Sequence, residues 1–201
     1  MDAPLAHTGS HLILGGASLG GMDQRLADNL FSVALDAGVK TIDTAPVYMN
    51  SEERIGRFMR KKSRDVKIST KVGTPAVFNL SNQKLSPNTI KSSVEASLVK
   101  LGIETIDTLF LHSVDSAFFT DENLSALMQL KYSGKVREIG YAGDGLHLVA
   151  AQEFAEFKVL MLSLNPLDQV NMPYIKSKGL DKKVIIKRSL GSAIWLNRDY
   201  P

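Results

Sequence analysis

Residues 41–48 read TIDTAPVY, a short β-branched run that ends in an acid, Asp43, and is followed by a phenol, Tyr48. Two more reactive side chains follow other apolar runs: Lys71 in ISTKVG and His112 in LFLHSVD. In a barrel of alternating strands and helices, the carboxyl ends of the strands converge on one face. We therefore expect these four side chains to share one pocket there and to transfer a proton to an oxygen.

Strand-like and helix-like segments alternate along the chain. Apolar, β-rich runs occur at HLILGG, KTIDTA, VKISTK, IDTLFLH, VREIGYA, VLMLSLN and KVIIKRSL, as is typical of parallel strands covered on both faces. The segments between them, such as SPNTIKSSVEASLVKLG, carry apolar residues at helical spacing. The alternation predicts an α/β fold with a parallel sheet, folded as a single domain over residues 1–201.

The length of the chain limits how complete such a barrel can be. The chain has 201 residues, whereas a full eight-unit barrel needs about 250. We therefore expect an incomplete TIM-type (β/α) barrel with about seven βα units and no eighth strand. Its first and last strands would have unpaired backbone groups, which the N-terminal segment, a second copy of the chain or another partner, or an exchanged element could cover.

Composition argues against several classes of protein. The absence of Cys excludes disulfides and a cysteine nucleophile, and no pair among His7, His11, His147 and the acids has metal-ligand spacing, so we expect no metal site. The net charge is +3, and the densest basic run, residues 60–67, follows a helical segment, so no nucleic-acid partner is expected. No segment reaches the roughly 18 apolar residues of a membrane helix, which favours a cytoplasmic protein without a membrane partner.

The first unit also permits a different fold. Residues 12–21, LILGGASLGG, precede a helical segment and then KTIDT, an order that imitates a dinucleotide-binding fingerprint. Gly15, Ala17 and Gly20 would fill its three positions, and the Cβ of Ala17 would hinder the approach of a pyrophosphate. A doubly wound sheet is therefore the alternative. The barrel is favoured because it gathers Tyr48 and the residues that follow later strands.

Several segments together resemble the aldo-keto reductase superfamily. TIDTAPVYMNSEERIGR resembles its strand-two signature, STKVG its lysine motif, SVEASLVKLGIETIDTLFLH its helix-three and strand-four signature, and GKVREIGYAGDG its fifth strand. The resemblance implies a TIM barrel, an NADPH cofactor and the reversible reduction of small-molecule aldehydes or ketones. It implies a catalytic tetrad at Asp43, Tyr48, Lys71 and His112. It also implies cofactor contacts at Gly16, Ala17, Asp43, Arg188, Ser189 and Leu190.

In the chemistry that this resemblance implies, Tyr48 donates a proton to the carbonyl oxygen, on which negative charge develops. We expect the ammonium of Lys71 to lower the pKa of Tyr48 from its ordinary value of about 10. Asp43 would hold Lys71 charged and oriented. A neutral His112 would supply a second hydrogen bond, with its tautomer set by its neighbours.

The chain departs from the family pattern around the cofactor. Ala142, Gly143 and Met161 stand where the family has Ser, Asn and Gln for the nicotinamide carboxamide, and Lys187 or Arg188 stands where an aromatic stacks. The chain also ends about where the phosphate-binding region would begin. Two hypotheses stay open: a reductase whose NADPH binding is weak or depends on a partner, and a catalytically impaired barrel with a binding or regulatory role. Four aromatic residues could line a substrate pocket or the core: Phe78, Phe118, Phe119 and Trp195.

Overall fold

The computed structural model describes residues 12–61, 65–73, 85–175 and 181–191. Strands and helices alternate through these ranges, as the sequence predicts. The strands are β1 (Ile13–Gly15), β2 (Thr41–Asp43), β3 (Lys67–Val72), β4 (Ile106–His112), β5 (Val136–Ala142), β6 (Val159–Ser163) and β7 (Lys183–Lys187). The α-helices are α1 (Gln24–Asp36), α2 (Ser51–Lys61), α3 (Pro87–Leu101), α4 (Asp121–Tyr132), α5 (Gly145–Gln152) and α6 (Met172–Ile175).

The strands form one parallel sheet in sequential order. Each strand pairs with the next one along the chain, from β1 to β7. A doubly wound sheet reverses its strand order part-way, so the alternative suggested by the glycine-rich first turn is wrong. The described residues form an incomplete TIM-type barrel of seven strands, which confirms the predicted fold.

Helix α3 shows how local sequence sets the boundaries of an element. The Oγ of Ser86 accepts from Thr89 N at 3.3 Å, and the hydroxyl of Thr89 accepts from Ser86 N at 2.9 Å, which forms a capping box. Pro87 occupies the first turn, where its missing N–H costs nothing. At the other end Gly102 takes a left-handed conformation with φ 67° and stops the helix.

The apolar core lies between the sheet and the helices. Because side chains alternate along a strand, one face of each strand packs against the helices and the other faces the barrel interior. The larger cluster joins β3–β6 to α3, α4 and α5, and a second joins β2 and β3 to α1 and α2. The interior contains a smaller group of apolar residues: Phe110, Ala142, Val159 and Met161, with Ile185 packed against it.

Phe110 fills the barrel interior directly below the carboxyl end of β4. It pairs with Gly140 on β5, and a Cβ added at Gly140 would lie 2.7 Å from the ring of Phe110. That Cβ would also meet the carbonyl oxygen of Val159. Gly140 therefore allows the aromatic ring to lie across the interior, two residues before His112 on the same face of β4.

We predict that Gly140→Ala destabilises the fold by about 1–3 kcal/mol, because the new methyl group overpacks the interior against Phe110. The free energy of unfolding from urea denaturation measures the effect. Gly15→Ala is the matched control, since Gly15 is also a strand glycine and a Cβ there would meet nothing within 4 Å. Equal effects of the two substitutions would contradict this account of Gly140.

Candidate active site

The four predicted reactive residues lie together at the carboxyl ends of the strands. Asp43 and His112 are the last residues of β2 and β4, Lys71 lies one residue before the end of β3, and Tyr48 is in the loop before α2. The Nζ of Lys71 lies 2.6 Å from Oδ2 of Asp43 and 5.0 Å from the ring centroid of Tyr48. The rings of Tyr48 and His112 meet edge to face, with centroids 5.8 Å apart.

Lys71 is a buried cation whose charge is compensated. Its side chain is 2% exposed, and its Nζ donates to Oδ2 of Asp43 at 2.6 Å and to Thr44 O at 2.8 Å. The other carboxylate oxygen of Asp43 accepts from the hydroxyl of Ser69 at 2.7 Å. A buried charge is tolerated when it is paired and hydrogen-bonded in this way. The pair holds the ammonium in place against one face of Tyr48.

Tyr48 keeps its proton in this setting. Burial and the nearby Asp43 raise its pKa to about 12, although Arg188 acts in the opposite direction. The expectation that Lys71 would lower the pKa of Tyr48 is therefore wrong. The physical reason is that burial disfavours the phenolate and that the carboxylate of Asp43 offsets the ammonium of Lys71. The phenol is protonated at neutral pH and available as a hydrogen-bond donor.

His112 is neutral and incompletely hydrogen-bonded. Burial, and then the positive charges of Lys71 and Lys187, lower its pKa to about 3. Its Nδ1 is buried and has no hydrogen-bond partner among the described residues, so no described neighbour sets the tautomer. An unpaired buried nitrogen costs about 1–3 kcal/mol. Such a cost inside a cluster of reactive side chains is typical of a site built for something other than stability.

The residues predicted to contact a cofactor fall into two groups. At the end of β1, Gly16 donates from its N to Asp43 O at 2.7 Å, and a Cβ there would lie 2.6 Å from that oxygen, so Gly16 permits close backbone packing. Ala17 beside it is exposed. At the end of β7, an exposed turn begins at Arg188, whose φ is 55°, and continues through the other two predicted contacts, Ser189 and Leu190.

The family of the chain follows from comparison with known proteins. The profile described as the aldo/keto reductase family matches residues 11–185. The chain belongs to this family. The sequential parallel order of its seven described strands agrees with this membership, as the sequence motifs indicate.

The chain is similar to individual reductases of this family. It is 33% identical over 216 aligned positions to the NADH-specific methylglyoxal reductase of Escherichia coli (strain K12), covering 96% of this chain and 66% of the relative. It is 31% identical over 169 positions to aflatoxin B1 aldehyde reductase member 4 of Homo sapiens, covering 81% and 48%. The chain therefore spans about half to two thirds of the length of these curated relatives.

Solved structures agree with this assignment. A glycerol dehydrogenase from Gluconobacter oxydans superposes with a TM-score of 0.76 at 27% identity, covering 96% of this chain and 66% of the other. The holo form of an aldo-keto reductase from Bacillus halodurans gives 0.80 at 24% identity, with the same coverage, and shows the shared fold.

The three positions at which the sequence analysis expects the carboxamide contacts of the family have apolar, crowded surroundings. Ala142 and Met161 are buried and apolar. A Cβ at Gly143 would lie 2.6 Å from the ring of Tyr141, whose hydroxyl donates to Val114 O at 3.0 Å. The phenol ring thus occupies the space that any side chain at position 143 would need. The sequence analysis overlooked Tyr141 because it reads as an ordinary strand aromatic.

A polar network at the same face was also missed. The carboxylate of Asp144 accepts from Ser163 N at 2.7 Å, from Asn171 Nδ2 at 2.8 Å and from Lys187 Nζ at 2.8 Å. Burial opposes ionisation of Asp144, but the hydrogen bonds from Lys187 and Ser163 prevail and its pKa is lowered. The position of Asp144 two residues after a predicted strand was the one feature of the sequence that could have indicated a residue of the site. The partners of Asp144 lie 19, 27 and 43 residues away in the sequence, so no local pattern indicates the network.

The remaining predictions concern aromatic residues and metals. Phe119 packs on Tyr141 at 5.4 Å and on Phe157 at 5.2 Å between ring centroids, so it belongs to the core, whereas Phe118 is 37% exposed. Phe78 and Trp195 lie outside the described residues. Within the described ranges, no three His, Cys, Asp or Glu side chains are grouped as metal ligands. No helix in those ranges has both the length and the apolar character of a membrane span.

His112 generates a prediction about stability and pH. Its pKa is lowered from 6.5 to about 3. Below pH 6.5 the unfolded chain therefore binds a proton at His112, whereas the folded chain does not bind it until the pH approaches 3. The stability that His112 contributes is complete above pH 6.5 and is lost as the pH falls towards 3, at roughly 1.4 kcal/mol per pH unit. We expect His112→Gln to remove that slope when unfolding is measured between pH 4 and 7. Parallel curves for the variant and the wild type would contradict a buried neutral imidazole.

Proposed function

We propose that the protein reduces an aldehyde or ketone with a reduced nicotinamide cofactor, and that Asp43, Tyr48, Lys71 and His112 supply the acid chemistry. The observation that carries the proposal is a protonated Tyr48 between a compensated Lys71 ammonium and a neutral His112. The bound cofactor would supply hydride to the carbonyl carbon. The protein must then stabilise the negative charge that develops on the carbonyl oxygen.

Each side chain has a part in this proposed step. Tyr48 hydrogen-bonds the carbonyl oxygen and gives up its proton as that oxygen becomes an alkoxide. The phenolate that remains is stabilised by the ammonium of Lys71, which lies 5.0 Å from the ring centroid. Asp43 fixes the ammonium, and a neutral His112 donates a second hydrogen bond to the same oxygen. The raised pKa of Tyr48 keeps the proton available for this step.

The proposed cofactor site uses the carboxyl ends of β1 and β7. The cation of Arg188 acts electrostatically on Tyr48, so the exposed turn at residues 188–190 lies within electrostatic range of the reacting group. A guanidinium there can stack on a flat ring or bind a phosphate. We assign Arg188, Ser189 and Leu190 to one side of the cofactor, with Gly16, Ala17 and Asp43 on the other. NADPH is the cofactor expected from the sequence, and the printed name of the Escherichia coli relative makes NADH the alternative to test.

A second candidate function is supported by the apolar carboxamide positions. Ala142, Gly143 and Met161 offer no side-chain hydrogen bond, and each such bond contributes about 0.5–1.5 kcal/mol. Losing several together lowers affinity by orders of magnitude. The alternative is therefore a catalytically impaired barrel that binds a small molecule or a partner without turnover. It shares the same pocket and differs in whether the cofactor is bound.

We expect Tyr48→Phe to lower kcat for carbonyl reduction by about 10²–10⁴-fold while the free energy of unfolding hardly changes, because only the proton donor is lost. Steady-state oxidation of the reduced cofactor measures this. Tyr132→Phe is the matched control, since Tyr132 is 81% exposed at the end of α4. A Tyr48→Phe variant as active as the control would remove Tyr48 from the mechanism.

We also predict that NADPH and NADH bind weakly to the isolated chain, with dissociation constants above the micromolar range. The physical reason is the missing set of hydrogen bonds at the carboxamide positions. A titration followed by cofactor fluorescence measures the affinity. Light scattering on the same sample measures the mass of the particle, and so tests the proposal that a second copy or a partner covers the open edge between β1 and β7. A monomer with micromolar or tighter affinity would contradict it. Absence of binding at millimolar cofactor would favour the impaired barrel.

A further inference from the structure

Lys187 connects the ends of two strands that are not neighbours in the sheet. It is the last residue of β7, and its Nζ lies 2.8 Å from Oδ2 of Asp144, two residues after the end of β5. Its side chain therefore crosses the carboxyl end of β6, where Ser163 pairs with Lys187. This brings the ammonium beside β5, the strand adjacent to β4 and His112.

Asp144 is saturated with hydrogen bonds, whereas Lys187 is not. Besides Lys187, the carboxylate accepts from Ser163 N, from Ser163 Oγ at 3.1 Å and from Asn171 Nδ2, which fills its four lone-pair sites. An ammonium has three N–H donors, and within the described residues Asp144 is the one acceptor that Lys187 Nζ meets. The side chain of Lys187 is 26% exposed, so its spare donors are available to a ligand.

The face around the tetrad has an excess of positive charge. Lys71 is paired with Asp43 and Lys187 with Asp144, whereas Arg188 has no ion pair with a described residue. Lys187 and Arg188 both act electrostatically on residues that would hold the carbonyl oxygen. Burial and Lys71 lower the pKa of His112 most, and Lys187 lowers it further. Burial and Asp43 raise the pKa of Tyr48, and Arg188 acts against that increase.

We propose that the carbonyl substrate is an oxo acid whose carboxylate, about one or two carbons from the reacting carbonyl, accepts hydrogen bonds from Lys187. The inference rests on the reductase function proposed above and specifies its substrate class. Asp144, which holds the ammonium, lies one strand across from His112 and two residues beyond Ala142, the residue that pairs with His112, an offset of roughly 8 Å. A carbonyl and a carboxylate one or two carbons apart, with a hydrogen bond of about 2.8 Å at each end, span a distance of that order. Asp144 acts as a positioning residue that holds the ammonium.

A purely structural role for the ion pair is the competing explanation, and the chain contains a matched case of one. Lys183, at the start of β7, forms an ion pair of 2.6 Å with Glu138 of β5. It lies in an open polar cleft of about 870 Å³ at the amino-terminal ends of the strands. Lys183 and Lys187 lie four residues apart on the same side of β7, and each crosses β6 to a carboxylate on β5 or just beyond its end. Only Lys187 lies at the carboxyl-terminal ends of the strands, where the tetrad is.

Binding of an unreactive ligand tests the inference without turnover. Oxamate carries a carboxylate beside its carbonyl, and oxamide is a neutral analogue of the same shape. Calorimetric titrations of both would be made on the wild type, Lys187→Gln and Lys183→Gln, with and without NADPH. Gln can keep a hydrogen bond to the neighbouring carboxylate, so the fold is maintained while the charge is removed.

We expect the wild type to prefer oxamate, and Lys187→Gln to reduce that preference by about tenfold or more, as for a lost charge-assisted hydrogen bond. Lys183→Gln should leave the preference unchanged, and salt should weaken oxamate binding to the wild type. Equal effects of the two variants would overturn the inference. So would a Lys187→Gln variant with weaker nicotinamide binding and an unchanged preference for oxamate, because Lys187 would then belong to the cofactor site.

Turnover separates this inference from the proposed function. The ratio of kcat/KM for pyruvate to that for 2,3-butanedione should fall about tenfold in Lys187→Gln and stay constant in Lys183→Gln. If neither ketone is reduced although oxamate and NADPH bind, the reductase proposal fails while the oxamate comparison still decides the role of Lys187. If 2,3-butanedione is reduced and the ratio is the same in all three proteins, the substrate class is wrong and the reductase proposal stands.

Discussion

The ion pair between Lys71 and Asp43 is the constraint on which the site depends. A buried lysine that is 2% exposed needs a partner for its charge. Lys71 lies two residues beyond Ser69, which pairs with Asp43, so β2 and β3 must keep this register for the ion pair to form. The same ammonium packs on Tyr48, which ties the loop before α2 to the barrel interior. Removing either charge would leave the other buried and unpaired, which typically costs about 3–5 kcal/mol. Structure and proposed chemistry therefore rely on one contact.

The interior below the site sets the depth of the pocket. Phe110 on β4 pairs with Gly140 on β5, and its aromatic ring occupies the space that a side chain at position 140 would need. His112 lies on the same face of β4, two residues later, and so rests above an apolar floor. That floor explains the burial that keeps the imidazole neutral. A neutral imidazole can donate a hydrogen bond without repelling the nearby Lys71.

The sequence predicted the fold and the grouping of the tetrad residues better than their electrostatics. Alternating periodicity is a local property, and strand ends on one face follow from the barrel topology, so Asp43, Lys71 and His112 could be placed together. The pKa of Tyr48 was predicted in the wrong direction because burial and the offset of Lys71 by Asp43 depend on three-dimensional distances. Long-range hydrogen bonds such as those of Asp144 leave no periodic trace, and the network around it was missed for that reason.

The departures from the family pattern are physically connected. Tyr141 and Gly143 go together, because the ring over Gly143 leaves no room for a side chain and its hydroxyl is anchored to Val114 O. Directly after this pair, Asp144 draws the ammonium of Lys187 across the end of β6. The face therefore has apolar residues where the resemblance implies uncharged hydrogen-bonding groups, and a fixed cation close to them. Such a pocket is less suited to a neutral amide and better suited to an anion, because the hydrogen bonds of an ammonium to a carboxylate are stronger than those to an amide oxygen.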